Sequence, residues 1–241
     1  MDNELCKLCQ ESQPNMDAHI IAKGLLKLLA DRGAYDGKLL IIGKELKTPI
    51  SKQGGSKDGG ILCDSCDNKI GVYDGYVTNF VKSSNLVNYK DGAWSASGLD
   101  IEKFKLFCVS YLWRASITNL EEFSGVSLGT VHEEAMRQVL LAGTAKKVDG
   151  YDVIVTKFDV GELTEAVNKW MLIPAKQRHL GIMFYEVHLP SLYKIYVKVD
   201  KMPTPPQYKT AVLGGKHSNI VLKRGAFAKS KDFKILQDSL H

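Results

Sequence analysis

The stretch CKLCQESQPNMDAHII, residues 6–21, decides the fold of the first part of the chain. It contains one Cys-x-x-Cys pair, Cys6 and Cys9, and a second pair, Cys63 and Cys66, follows in ILCDSC. A Cys-x-x-Cys turn presents two thiolates to one metal ion, and structural zinc is commonly held by four such ligands in a tetrahedron. The two pairs therefore predict a four-cysteine zinc site. Because four thiolates leave no open coordination position, we expect this zinc to be structural.

The composition is that of an ordinary globular protein. Of the 241 residues, 44% are hydrophobic and 24% are charged, which separates the chain from disordered and membrane proteins. No apolar run reaches the roughly 18 to 20 residues that a membrane span needs, and the N-terminus, with Asp2 and Glu4, does not have the pattern of a signal peptide. We therefore expect a cytoplasmic protein, in whose reducing environment paired cysteines bind metal. The fifth cysteine, Cys108 in KLFCVSYLW, is interpreted as a buried apolar thiol.

The length allows either one large domain or a small module joined to a larger domain. The position of the cysteine pairs favours the second arrangement, with a zinc-binding module at 1–85 and a second domain at 86–241. The second domain is expected to contain helices, an antiparallel sheet and a basic C-terminal segment. The predicted fold class of the whole chain is α+β.

The segment between the cysteine pairs is predicted to contain one helix and one exposed loop. After the first pair, apolar residues at Leu25, Leu28 and Leu29 indicate a helix that Gly33 closes. The stretch ISKQGGSKDGG, residues 50–60, is rich in Gly, Lys and Ser, which favours an exposed connection. Another helix is expected directly after the second cysteine pair.

Two helices are predicted in the middle of the chain. The first, at 100–117, is apolar on most faces, so it is expected at the centre of the second domain, with Asp100 as its N-cap. The second follows Thr130, and Glu133 three residues later suggests a capping box. Gly143 is expected to end this helix.

From about residue 150 the pattern becomes that of strands. Three stretches at 151–160, 179–190 and 192–200 are rich in β-branched and aromatic residues with partial alternation, so they predict an antiparallel sheet. A short helix is predicted between the first two, at 161–174.

Positive charge is concentrated at the C-terminal end. The segment from Lys201 to His241 contains eight Lys and Arg residues against two Asp, a charge of +6, whereas the whole chain carries +5. A basic segment on a near-neutral body suggests a polyanionic partner, most simply nucleic acid. A solvated basic surface without a partner is the alternative.

The stretch VLGGKHSN, residues 212–219, is a candidate phosphate-binding loop. Glycines allow backbone amides to approach an anion, and Lys216 and His217 follow them. Lys223 and Arg224 come next, so these four side chains are the candidate phosphate or nucleic-acid contacts. The alternative interpretation of the stretch is a flexible hairpin turn.

Arg114 lies inside the apolar stretch YLWRAS. A buried arginine needs an acidic partner unless it contacts the phosphate of a ligand. We favour a structural ion pair for this residue.

Taken together, CKLC, AHII, ILCDSC and DNKIG resemble the zinc-clamped HNH endonucleases of the ββα-metal class, in particular a divergent bacterial and phage group. The resemblance covers about 70 residues, so under a third of the chain. It implies a small treble-clef module and a nuclease. In such an enzyme a histidine acts as general base on water, and a divalent cation, Mg²⁺ or Mn²⁺, stabilises the transition state.

The resemblance assigns roles to particular residues of this chain. His19 takes the position of the base, and Asp67, with Asn68 next to it, takes the position of the last motif residue. Ala18 stands where a cation ligand is common, and Asp17 is expected on the opposite side of the strand. Asp58 takes the place of the middle residue, which lies a few positions before the second cysteine pair.

Three functions remain open at this point. The first is a metal-dependent nuclease that cleaves DNA phosphodiesters, with His19 as base. The second is a catalytically inactive protein on the same scaffold, which binds nucleic acid or a small nucleotide anion, with His19 in a structural role. The third is a protein-interaction module that zinc stabilises. DNA or another phosphate-bearing ligand is the expected partner of the first two, no membrane is expected, and homo-oligomerisation is left open.

Overall fold

The chain forms helices and mainly antiparallel strands, which confirms the α+β prediction. The computed structural model describes residues 4–30, 38–41, 50–83, 86–88, 94–96, 98–145, 151–159, 173–209, 212–214, 220–222 and 224–226. The α-helices of these ranges are α1 (Lys23–Ala30), α2 (Asp64–Ser83), α3 (Ile101–Ile117), α4 (Thr130–Ala142) and α5 (Pro206–Lys209). Of the helix predicted at 161–174, the structure describes only residues 173 and 174, which are not helical. Gly33, the expected end of α1, lies outside the described residues.

Twelve strands are described in the same ranges. They are β1 (Met16–His19), β2 (Lys38–Ile41), β3 (Ile50–Gln53), β4 (Lys57–Leu62), β5 (Leu86–Asn88), β6 (Trp94–Ala96), β7 (Val153–Asp159), β8 (Ala175–His179), β9 (Ile182–Leu189), β10 (Tyr193–Lys198), β11 (Ile220–Leu222) and β12 (Arg224–Ala226). The largest sheet has the order β12-β7-β10-β9-β8 and is antiparallel except for the β12–β7 pair. The remaining sheets are β1-β4, β2-β3 and β11-β6-β5.

Helix α3 lies at the centre of the core, as its apolar sequence predicts. Eleven of its residues are buried, and it packs against both α2 and α4. Phe80 of α2 contacts Phe104 of α3 edge-on, with ring centroids 5.4 Å apart, and lies at the same distance from Tyr193 of β10. One continuous cluster of buried side chains therefore joins the part that carries the two cysteine pairs to the large sheet. The boundary predicted near residue 85 remains a prediction.

The ends of α3 and α4 test the predicted caps. Asp100 caps α3, since its carboxylate accepts a hydrogen bond of 3.0 Å from the N–H of Lys103. Gly143 ends α4 in the left-handed conformation at φ 65°, as predicted. The capping box was wrong, because α4 begins at Thr130 itself and Gly129 is the N-cap. The carboxylate of Glu133 instead accepts a hydrogen bond of 2.6 Å from Ser116 of α3.

The expectation of an exposed loop at residues 50–60 was wrong. The segment forms β3 and β4, and the glycines form the turn between them, with φ of 72° at Gly54 and 82° at Gly55. The polar composition has a structural explanation, since Ser56 is buried and donates a hydrogen bond of 2.6 Å to Glu122. Lys52 forms an ion pair of 2.5 Å with the same carboxylate.

Among the residues that the structure describes, none of the helices combines the length and apolarity that crossing a membrane requires.

The cap at Asp100 gives a stability prediction. Asp100→Ala removes the acceptor for the Lys103 N–H, and we expect the free energy of unfolding in urea to fall by about 1 kcal/mol. Asp100→Asn keeps an acceptor and removes only the exposed ion pair with Lys103, so most of the stability should be retained. Equal losses in the two variants would show that the ion pair, rather than the cap, carries the effect.

Candidate metal centre and adjoining cleft

The first cysteine pair lies in a tight turn before β1. The N–H of Gln10 donates to the carbonyl of Cys6 at 2.8 Å, and Gln10 has a positive φ of 61°, so the chain folds back on itself directly after Cys9. Leu8 between the two cysteines is buried, and its carbonyl accepts a hydrogen bond of 2.7 Å from Arg137 of α4. The turn is thus held in place by the second half of the chain.

The second cysteine pair forms the start of α2. Cys63 directly precedes the helix, and its backbone carbonyl accepts a hydrogen bond of 2.9 Å from the N–H of Asp67. Cys66 lies in the first turn of the helix. The amino end of a helix carries partial positive charge, which stabilises thiolates. Burial alone would raise the pKa of the Cys63 thiol, but hydrogen bonds from Ser65 and from the Cys66 backbone lower it to about 6.

The four thiols form one cluster, as the sequence predicted. Their sulfur atoms all lie within 4.8 Å of one another, and Cys9 Sγ is 3.9 Å from Cys63 Sγ. A tetrahedral zinc site with bonds of about 2.3 Å has sulfur–sulfur edges of about 3.8 Å. Burial and the neighbouring thiols raise the pKa of Cys66. A bound cation would counteract both effects, because its positive charge stabilises the thiolate form. The cluster therefore has the size and the chemistry to hold a zinc ion.

The cluster predicts that metal binding and folding are linked. Cys63→Ser removes one thiolate, so we expect zinc content to fall from one ion per chain to near zero, with loss of cooperative thermal unfolding. Cys108→Ala is the matched control, because Cys108 is buried in α3 outside the cluster. It should retain zinc in elemental analysis. Retention of stoichiometric zinc by Cys63→Ser would contradict the four-cysteine site.

A polar cleft of about 360 Å³ adjoins the cluster along α2. The end of β1, the start of α1, one face of α2 and one residue of α3 form its walls. Its polar side chains include His19, Lys23, Asp67, Asp74, Thr78 and Arg114. Helices α1 and α2 approach closely here, since a Cβ on Gly24 would lie 2.6 Å from the Thr78 side chain. A glycine is therefore needed where α1 crosses α2.

His19 ends β1 at the edge of this cleft. Its imidazole is partly buried and forms no hydrogen bond with any residue that the structure describes. Burial lowers the pKa of His19, and the cations Lys57 and Lys23 lower it further. The ring is consequently neutral over a wider pH range than an ordinary histidine and can accept a proton.

Asp67 enters the same cleft from the first turn of α2. Burial raises the pKa of its carboxyl group, the cation Arg114 opposes this rise, and Asp74 two turns further along the helix adds to it. Within the described ranges the carboxylate has no hydrogen bond or ion pair. His19 and Asp67, which are 48 positions apart in the sequence, thus come together as two unpartnered polar groups.

Arg114 forms the structural ion pair that the sequence favours. Its side chain is 1% exposed and binds both carboxylate oxygens of Asp74, at 2.9 and 2.7 Å. The same guanidinium donates a hydrogen bond of 2.5 Å to the backbone carbonyl of His19. One buried side chain of α3 therefore fixes both α2 and the end of β1.

This junction gives a second stability prediction. Arg114→Met leaves Asp74 and the His19 carbonyl without their donor, so we expect the free energy of unfolding to fall by about 3–5 kcal/mol. Lys103→Met is the comparison, because both side chains of its ion pair with Asp100 are exposed and solvent screens that pair. Chemical denaturation of both variants should give a clearly larger loss for Arg114. Similar losses would contradict a special role of the buried pair.

The remaining residues that the resemblance named do not reach the cleft. Asn68 is exposed on the outer side of α2. Asp58 is held by the N–H of Gly60 at 2.9 Å and by the Thr118 hydroxyl at 2.6 Å. Ala18 is buried in the core and Asp17 is exposed, so the two do point to opposite sides of β1, as predicted.

The candidate phosphate contacts near the C-terminus are largely outside the described residues. This applies to Lys216, His217 and Lys223. Arg224 begins β12, which pairs in parallel with β7, and its side chain is outside the description. Their role in binding phosphate stays a prediction.

Sequence reasoning missed Asp74 and Lys23 as residues of the cleft. A helical spacing was available as a signal, because Asp67, Gly71, Asp74 and Thr78 recur at intervals of three or four and line one face of α2. No comparable signal places Lys23 there, because its position depends on how α1 packs on α2.

No protein-family model, no curated protein and no solved structure matches this chain. The geometry itself defines a four-cysteine cluster that adjoins a cleft with a histidine, two carboxylates and basic side chains.

Proposed function

We propose that this chain is a metal-dependent nuclease of the zinc-clamped HNH type, which cleaves DNA phosphodiesters in the cleft beside the cysteine cluster. The observation that carries the proposal is the meeting of His19 and Asp67. Both side chains line one cleft, and neither is engaged by another described residue. Both side chains are only partly buried, so each remains accessible to a ligand that enters the cleft.

The order of elements supports a treble-clef, HNH-like module. A cysteine turn precedes β1, β1 pairs antiparallel with β4, and α2 follows with the second cysteine pair at its start. The antiparallel register places Met16 beside Leu62, directly before α2, and His19 beside Lys57 at the other end of β4. Helix α2 packs against β1, so His19 and Asp67 line the same cleft. The strands β1 and β4 with α2 correspond to the ββα elements that the resemblance implies, with α1, β2 and β3 between the two strands in the chain.

The chemistry assigns one role to each of the two side chains. His19, in its neutral form, accepts a proton from a water molecule, and the hydroxide formed attacks the phosphorus of the phosphodiester. The bond from phosphorus to the leaving oxygen breaks, and that oxygen takes a proton from water. A bound Mg²⁺ or Mn²⁺ supplies stabilisation of negative charge on the phosphate oxygens.

Asp67 is the residue that would hold the divalent cation. Mg²⁺ is commonly bound by one or two protein carboxylates together with substrate phosphates and waters, so one carboxylate in the cleft is a sufficient protein ligand. Asp74 is less suited to this role because Arg114 already occupies both of its oxygens. Ala18, which stands where a cation ligand is common, is buried and contributes no ligand.

The proposal is tested with purified protein, supercoiled plasmid DNA and added Mg²⁺ or Mn²⁺. We expect nicking by the wild type and a loss of about 10²- to 10⁴-fold in rate for His19→Ala, the range typical of a general base. Asp67→Asn should instead raise the Mg²⁺ concentration needed for half-maximal rate. Both variants should retain zinc, since neither residue belongs to the cysteine cluster.

The control is His179→Ala, prepared in the same way. His179 lies on β8 and is paired with Tyr208, away from the cleft, so its variant should cut at the wild-type rate. An intact plasmid with wild-type protein under both metals, or equal cutting by His19→Ala, would overturn the nuclease. Intact plasmid combined with tight DNA binding would favour the inactive nucleic-acid-binding scaffold.

A further inference from the structure

Two groups of basic side chains can be distinguished in the described residues near the cysteine cluster and in the helices that pack on it. One group is engaged by the fold through hydrogen bonds or ion pairs with protein groups. Its members are Lys7 with the Ile117 carbonyl, Lys52 with Glu122, Lys69 with the Leu141 carbonyl, Arg114 with Asp74 and Arg137 with Glu134. These cations have partners that account for their positions.

Lys23 and Lys57 form the second group. Both are exposed, and neither forms a hydrogen bond or an ion pair with any group in the described part of the chain. Their positions are nevertheless fixed by the backbone, since Lys23 is the first residue of α1 and Lys57 the first residue of β4. Two cations without protein partners are thus held on rigid elements at one site.

Both lysines adjoin His19 from different directions. Lys57 is the direct partner of His19 in the β1–β4 pair, so their side chains lie on the same face. Lys23 lines the cleft together with His19. After burial, the charges of Lys57 and Lys23 are the largest causes that lower the pKa of His19.

We infer that Lys23 and Lys57 bind two backbone phosphates of a nucleic-acid strand that crosses the cleft in front of His19. The inference rests on the proposed function and adds to it the contacts that hold the substrate. A strand with several phosphates can contact both ammonium groups at once, whereas a mononucleotide with one phosphate group can contact only one of them.

Lysine is suited to this task because its ammonium group is a point charge on a flexible stem, which tolerates variation in the position of a phosphate. Contacts of this kind position a strand without reading its bases. Binding through them should therefore depend strongly on salt and little on nucleotide sequence.

The experiment measures binding of fluorescein-labelled DNA and RNA oligonucleotides by anisotropy over a series of KCl concentrations, without added divalent cation, so that cleavage does not interfere. The slope of log K against log salt is negative, and its magnitude falls by about one for each phosphate contact that a substitution removes. We expect this decrease for Lys23→Ala and for Lys57→Ala, and a decrease of about two for the double variant.

Lys27→Ala is the matched control. Lys27 is exposed on α1 one turn beyond Lys23, and it does not line the cleft. Its variant removes the same charge from the same helix, so it reports the effect of net charge alone, and its slope should stay close to that of the wild type. Two further variants, Lys23→Arg and Lys57→Arg, keep the positive charge, so their salt-dependence slopes should equal the wild-type slope.

The outcomes separate this inference from the proposed function. Slopes for Lys23→Ala and Lys57→Ala that equal the Lys27→Ala slope would overturn the inference, even if plasmid is cut in a His19-dependent manner. Reduced slopes without any cutting would support the lysine contacts and overturn the nuclease. A wild-type protein that binds neither DNA nor RNA at low salt would overturn the inference directly.

Discussion

The candidate site depends on one buried interaction, the junction that Arg114 forms with Asp74 and with the carbonyl of His19. The guanidinium joins three elements, α3, α2 and β1, and it is almost fully removed from water. A buried charge of this kind is stable only while its partners remain in place, so the end of β1 and the face of α2 cannot move apart independently. The cleft therefore keeps its shape because of a residue from the apolar helix at the centre of the molecule.

The parts of the fold that the sequence predicted correctly are those set by local chemistry. The Cys-x-x-Cys spacing is sufficient for the cluster, and Asp100 and Gly143 act through neighbours within four residues. The wrong predictions have a common cause, which is competition from distant residues. Glu122 engages Ser56 and Lys52 in a segment that resembled a loop, and Ser116 takes the carboxylate expected to complete a capping box at Thr130.

The candidate site shows the same division. His19 and Asp67 were named through the resemblance to HNH endonucleases, whose motif fixes their order relative to the two cysteine pairs. Arg114 lies 95 positions from His19 and 40 from Asp74, so no spacing rule connects it with either residue. Lys23 and Lys57 are ordinary exposed lysines in the sequence, and only the pairing of β1 with β4 and the packing of α1 on α2 place them beside the imidazole.

The cysteine cluster also determines which lengths in this chain are free to vary. Cys9 and Cys63 are 54 positions apart, and a doubling of such a loop raises its closure cost by only about 0.6 kcal/mol. The spacing within each pair is fixed, because two sulfur atoms must reach one tetrahedral centre. The cysteines themselves therefore set little constraint on the chain length between the two pairs. That length is set instead by the register of β1 on β4, which places Lys57 beside His19.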